Sequence, residues 1–209
     1  GQNFLRDADI IDRIVEALGS LDTDLVIEIG PGRGALTEKL LEKAGRVIAI
    51  EFDRDMIAIL HERFSGCDNL KLISADALNV DFAQLVDLEN GSRPAKLVAN
   101  LPYNISTPIL QNLTAQRTCF SILVLMFQKE VVERITAPPG GKERGFLSVI
   151  VEDAFATEPL FDVPPGAFTP VPKVWSSVVR LVPNPFADYN SAGFRKVVSA
   201  SFAHRRKTL

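Results

Sequence analysis

The residues best suited to chemistry fall in four short segments. In "EIGPGRGALT" an apolar run ends in Gly30, Gly32 and Gly34, which remove side chains where a nucleotide-like ligand would lie against the backbone. The spacing Gly30-x-Gly32-x-x-Ala35 also satisfies the dinucleotide fingerprint, so this loop alone admits NAD as readily as S-adenosylmethionine. Glu51 closes the next apolar run, about twenty residues further on, where a carboxylate can accept both ribose hydroxyls of either cofactor. Asp76, in "SADAL", closes the third run and suits an adenine amino group. The fourth segment, "NLPY", sets Asn100, Leu101, Pro102 and Tyr103 after "KLVA", where a buried strand would continue in Val or Leu.

Any one of these acids reads equally well as a solvated strand exit, and an isolated "NxPY" admits that reading too, though less readily. Their succession on consecutive strand ends is what points to a site, and the chemistry it suits is methylation of an amine. An exocyclic adenine amine is a poor nucleophile because its lone pair is delocalised into the ring. The Asn100 amide oxygen and the Leu101 carbonyl can accept its two protons and aim the lone pair at an electrophilic methyl. Pro102 stiffens the turn and brings no N–H to compete for those acceptors, and Tyr103 offers a face on which a base can stack. Neither a general base nor a metal is needed, because positioning can supply up to roughly 7–11 kcal/mol.

Strands and helices in alternation must hold these residues. The runs at 25–30, 46–52, 70–76, 96–100 and 120–128 read as strands buried on both faces of a mainly parallel sheet. "ALTEKLLEKAG" and "RDMIAILHERF" carry apolar residues at helical spacing, with Gly45 as a stop after the first. This is a doubly wound α/β arrangement. "DADIIDRIVEALGSL" adds a leading helix with Ile10, Ile11, Ile14, Val15 and Leu18 on one face, and "GFLSVIVEDAF" adds a later one. Late strands near 158–163 and 174–182 are expected to form an antiparallel hairpin at the sheet edge. From Asp188 the pattern is helical and basic, so residues 1–185 are read as the catalytic domain and 186–209 as the beginning of a helical C-terminal domain, with both chain ends looking cut.

Composition sets the outer bounds. With 46% hydrophobic and 23% charged residues the chain is expected to be a soluble, packed protein, and no apolar run reaches the roughly 20 residues of a membrane span. A net charge of −3 argues against a surface coated in nucleic acid while leaving room for a basic patch. Cys67 and Cys119 lack CxxC partners and are expected to be buried free thiols in a reducing, cytoplasmic setting.

In this order, "GQNFL", "IEIGPGRGALT", "IEFD", "ADAL", "NLPYNIS", "FQKEVVERI", "FTPVPKVWSSVV" and "FAHRRKTL" span essentially the whole chain, and together they resemble the ribosomal RNA adenine N6,N6-dimethyltransferases of the KsgA type. The resemblance implies a Rossmann-like class I methyltransferase fold, S-adenosyl-L-methionine as cofactor, and dimethylation of two adjacent adenosines near the 3′ end of small-subunit rRNA. It further implies a monomer that acts on the small-subunit precursor, with no membrane partner. Asn3 and Leu5 would close over the cofactor. Gly30, Gly32, Glu51, Asp76, Ala77 and Asn100 would contact it, and Phe168 would stack on a flipped adenine opposite Tyr103.

Trp175 departs from the family pattern, which has a small acidic or polar residue there. A basic rim is expected from Lys129, Arg134, Lys142, Arg144, Lys173, Arg205, Arg206 and Lys207, above all from Lys173 and the terminal cluster. The competing readings are a large-subunit rRNA methyltransferase of the Erm type, a non-catalytic ribosome-assembly or transcription factor on the same fold, and an NAD oxidoreductase.

Overall fold

The computed structural model describes residues 3–91, 93–102, 105–187 and 192–203. In chain order its elements are β1 (Phe4–Leu5), α1 (Ala8–Glu16), β2 (Leu25–Ile29), α2 (Ala35–Lys43), β3 (Arg46–Glu51), α3 (Arg54–Arg63), β4 (Leu70–Ser74), α4 (Phe82–Asn90) and β5 (Ala95–Asn100). They continue with α5 (Ser106–Ala115), β6 (Phe120–Gln128), α6 (Lys129–Ile135), α7 (Phe146–Ala154), β7 (Phe155–Val163), β8 (Phe168–Thr169), β9 (Ser176–Pro183) and α8 (Ala192–Ala203).

Seven strands form one sheet in the order β4-β3-β2-β5-β6-β9-β7. The five strands β2 to β6 are mutually parallel, whereas β9 runs antiparallel to β6 and β7. Each parallel step needs a crossover, which α2, α3, α4 and α5 supply. The chain builds outward from β2 to β4, then returns to lay β5 against the other side of β2. That reversal leaves a crevice beyond the carboxyl ends of β2 and β5.

Side-chain alternation divides the core in two. Ile27, Ile50, Leu97 and Leu125 face Phe82, Ile109, Leu110 and Val151 of α4, α5 and α7. Val26, Val47, Val98 and Val124 face Ile10, Ile14, Leu36 and Leu40 of α1 and α2. Asp7, Asp53 and Asp81 start α1, α3 and α4 by accepting backbone N–H bonds from Ile10, Asp55 and Gln84.

The doubly wound sheet with its antiparallel edge is as expected, with three corrections of detail. β4 is not buried on both faces, because it is an edge strand and none of its residues is fully covered. Phe155, read as the end of a helix, is extended and opens β7, which places a bulge at Pro159 on the edge where a missing N–H is tolerated. Cys67 and Cys119 are free but half-buried. The Cys119 thiol donates to the Gln116 carbonyl at 2.9 Å, and burial pushes its pKa up to about 12. Beyond β9, α8 packs Val198 against Ile150 of α7. Arg205, Arg206 and Lys207 lie outside the described residues.

Candidate active site

The glycine loop leaves β2 at the crevice, and its shape is held from several sides. Gly30 N–H donates to the Ile50 carbonyl at 2.9 Å, and Gly34 N–H donates to Pro31 at 2.8 Å. Gly34 caps α2 with a φ of +84°, and a Cβ there would stand 2.6 Å from the Phe64 ring. Only glycine fits both demands. Gly32 donates to Glu51 Oε2 at 3.1 Å, and a Cβ on it would meet the Phe4 ring at 3.0 Å. The loop therefore runs between the Glu51 carboxylate and the Phe4 ring.

Glu51 is 4% exposed and accepts three backbone N–H bonds, from Gly32, from Phe52 at 2.9 Å and from Asp53 at 2.9 Å. A carboxylate has about four acceptor positions. The arrangement leaves about one, on Oε2. Asp76 is half-buried and accepts from Leu78 N–H at 2.9 Å and from Asn79 Nδ2 at 3.3 Å. Ala77 is buried, and its carbonyl accepts from Asn112 Nδ2 of α5 at 3.1 Å. These bonds staple the loop after β4 to the neighbouring crossover.

Between β2 and β5 lies a cavity of about 70 Å³. Of the residues singled out in the sequence, Gly30, Gly32, Asn100, Leu101 and Pro102 form its walls, and Asn3, Leu5 and Phe168 also line it. Glu51, Asp76 and Ala77 stand on the adjoining strand ends outside its lining. Asn100 is half-buried, and its Nδ2 approaches the Asn3 carbonyl at 3.5 Å, a long contact. Leu101 N–H donates to Met126 at 3.3 Å, and the Pro102 carbonyl accepts from Ile105 N–H at 3.2 Å, which ties the turn to β6 and to the start of α5. Tyr103 lies outside the described residues, and with it the expected pairing of Tyr103 and Phe168.

The ribbon over this cavity was not foreseen. Leu5 pairs with Phe168 and Phe4 with Thr169, and Arg6 N–H adds a bond to the Ala167 carbonyl at 2.9 Å. Phe168 is 1% exposed and shares the core face of α1 and α2.

Two residues were missed. Glu28, in the middle of β2, lines the cavity, is 1% exposed, and accepts from Thr37 Oγ1 at 2.6 Å. Burial raises its pKa to about 7, against the Thr37 hydrogen bond and with help from the Glu51 charge. A carboxyl inside an otherwise apolar strand was the available signal. Phe52, directly after Glu51, is 74% exposed at the same edge.

Of the expected basic rim, the terminal cluster lies outside the described residues, and two of the other cations are already paired. Lys129 pairs with Asp162 at 2.7 Å and Arg144 pairs with Glu152, while Lys173 is exposed and makes no ion pair among the described residues. Among those residues no group of His, Cys, Asp and Glu is placed to hold a metal, and no helix is long and apolar enough to cross a membrane.

The family model described as ribosomal RNA adenine dimethylase matches residues 1–209. The ribosomal RNA small subunit methyltransferase A of Hahella chejuensis is 47% identical over 212 residues, which cover 100% of this chain and 77% of that protein. A dimethyladenosine transferase from Plasmodium falciparum superposes with a TM-score of 0.86 at 33% identity, covering 99% of this chain and 73% of that one. The 23S rRNA methyltransferase ErmE superposes with a TM-score of 0.79 at 28% identity, covering 97% and 80%.

Proposed function

We propose that this chain, which belongs to the ribosomal RNA adenine dimethylase family, dimethylates the N6 amines of two adjacent adenosines near the 3′ end of small-subunit rRNA, with S-adenosyl-L-methionine as methyl donor. The observation that carries the reading is the convergence of the glycine loop and Asn100-Leu101-Pro102 on one cavity at the reversal of strand order.

The residues present fit such a donor. Gly32 offers a backbone wall, Glu51 keeps one acceptor position for a ribose hydroxyl, and Asp76 stands at the next strand end for an adenine amino group. Phe52 presents an exposed aromatic face beside them. Glu28 places a buried carboxyl on the cavity wall, where a cationic ligand would favour its ionised form. When bound, S-adenosylmethionine supplies a methyl already activated by its sulfonium.

The protein's work is then positional. Asn100 Oδ1 and the Leu101 carbonyl accept hydrogen bonds from the two amine N–H groups, and Pro102 keeps the turn stiff; one N–H proton leaves as each methyl is added. Phe4, Leu5 and Phe168 of the β1–β8 ribbon line the cavity, so a shift of the ribbon would widen it for a nucleoside. The same shift would uncover Phe168, which can then stack on an extruded adenine. Stacking is worth about 1–3 kcal/mol per base and offsets much of the few kcal/mol of extrusion. It is nearly indifferent to N6 substitution, which suits an enzyme that must take its own monomethyl product.

The test is transfer of labelled methyl groups to small ribosomal subunits lacking the modification, with the labelled base mapped. Label on two adjacent small-subunit adenosines is expected. Label on large-subunit RNA alone would overturn the choice of substrate, and binding without turnover would indicate an assembly factor.

A further inference from the structure

We infer that Trp175 is a stacking platform for an unpaired RNA base next to the target adenosine, with Lys173 as its phosphate partner. The inference rests on the RNA reading above and concerns how the rim of that site grips its substrate.

Register locates Trp175. Asn100 of β5 is paired with Met126 of β6, and Met126 with Val178 of β9. The β6–β9 ladder runs on to Gln128 and Ser176, and Lys129 N–H then donates to the Trp175 carbonyl at 2.9 Å. Trp175 thus continues β9 past the carboxyl edge that holds Asn100. It lies two strand spacings across, about 10 Å, and three residues further out, about another 10 Å. The same short loop leads straight from Phe168 and Thr169, so the cavity lining and this indole share one stretch of chain.

The surroundings suit a base. Trp175 is 50% exposed, and Val171 and Val174 beside it are 62% and 41% exposed. A half-exposed indole offers on the order of 100 Å². With two valines this stays far below the roughly 800 Å² per partner that a stable protein interface buries, but it is enough for one nucleobase. Lys173 is exposed with no ion pair among the described residues, whereas nearby Lys129 is neutralised by Asp162. An aromatic face with an uncommitted cation beside it is the pairing that single-stranded nucleic acid sites use. Of the other strongly exposed apolar side chains, Phe52 stands on the glycine-loop side of the same edge, beside Glu51, whereas Leu88 on α4, Val197 on α8 and Phe186 beyond the opposite end of β9 sit elsewhere.

Trp175 is the only tryptophan in the chain, so its fluorescence reports on this site alone. Titrating the full chain with a short single-stranded RNA containing two adjacent adenosines should quench it to saturation. Trp175→Ala should raise KM for unmodified small subunits by roughly 5- to 150-fold, the equivalent of one stacked base, with kcat at saturating substrate held within about two-fold. Trp175→Phe should recover most of the loss. A wild-type enzyme that methylates RNA without quenching, and whose alanine variant keeps its KM, would overturn this inference and leave the proposed function standing. A wild type that transfers no methyl group would remove both. Self-association that disappears in Trp175→Ala would assign the ledge to a second copy of the chain and overturn the RNA reading of it.

Discussion

The two sides of the crevice differ in how far their polar groups are already committed. On the β2–β3–β4 side, Glu51 holds three backbone N–H groups, Asp76 holds two partners, and Gly34 is locked against Phe64. On the β5–β6–β9 side, Asn100 has a 3.5 Å approach to Asn3, and Trp175, Val174 and Val171 face water. One side has its polar groups bonded already; on the other, Asn100 keeps only a long contact and the ledge of Trp175 lies open to water. A cofactor of constant shape rewards the first arrangement, since preorganised groups lose little freedom on binding. A target whose amine gains a methyl between turnovers rewards the second, because a tightly bonded pocket would reject the monomethyl product.

Breaking each side in turn sharpens this contrast. The largest effect is expected from Asn100→Ala, which should lower single-turnover methyl transfer by about 10²–10³, the scale of losing one hydrogen-bonding partner in a transition state. A smaller drop would mean the amine is aimed by other groups.

On the preorganised side, Glu28 makes stability depend on pH. Its folded pKa of about 7 exceeds its ordinary 4.5, so the folded protein holds this proton more tightly than the unfolded chain. The resulting stability is complete below about pH 4.5 and is lost as pH rises through about 7, amounting to about 3 kcal/mol. Urea titrations across that range should show the loss in the wild type and its absence in Glu28→Gln. Parallel curves would place the proton elsewhere.

Gly34→Ala comes next, at about 2 kcal/mol, because an alanine must adopt a left-handed φ and displace the Phe64 ring. Thermal unfolding with and without cofactor would measure it. On the adaptable side, Trp175→Ala should change stability by less than about 0.5 kcal/mol, since the side chain is half in water. A larger loss would show that the ledge is part of the core.

Much of the fold was legible because its strands are buried runs of Val, Ile and Leu. β6 was read at Phe120–Gln128 to the residue, since a nine-residue apolar strand leaves little choice. Helices α4, α5 and α6 were not singled out: α5 carries Pro108 and a short apolar pattern, and α6 has only seven residues. The ribbon of β1 and β8 was invisible, because two-residue strands have no periodicity and these are paired across more than 160 positions.

For the site, the sequence by itself determined which residues stand at the strand ends. Glycines, acids and the "NLPY" turn punctuate apolar runs, and a parallel sheet brings all carboxyl ends to one edge. Tertiary structure alone decided their state. It spent three of Glu51's four acceptor positions on backbone groups, sealed Phe168 beneath β1, and raised the Glu28 pKa by burying it under α2. Those outcomes depend on what packs across the sheet and over its edge, and local residue order carries no record of distant neighbours.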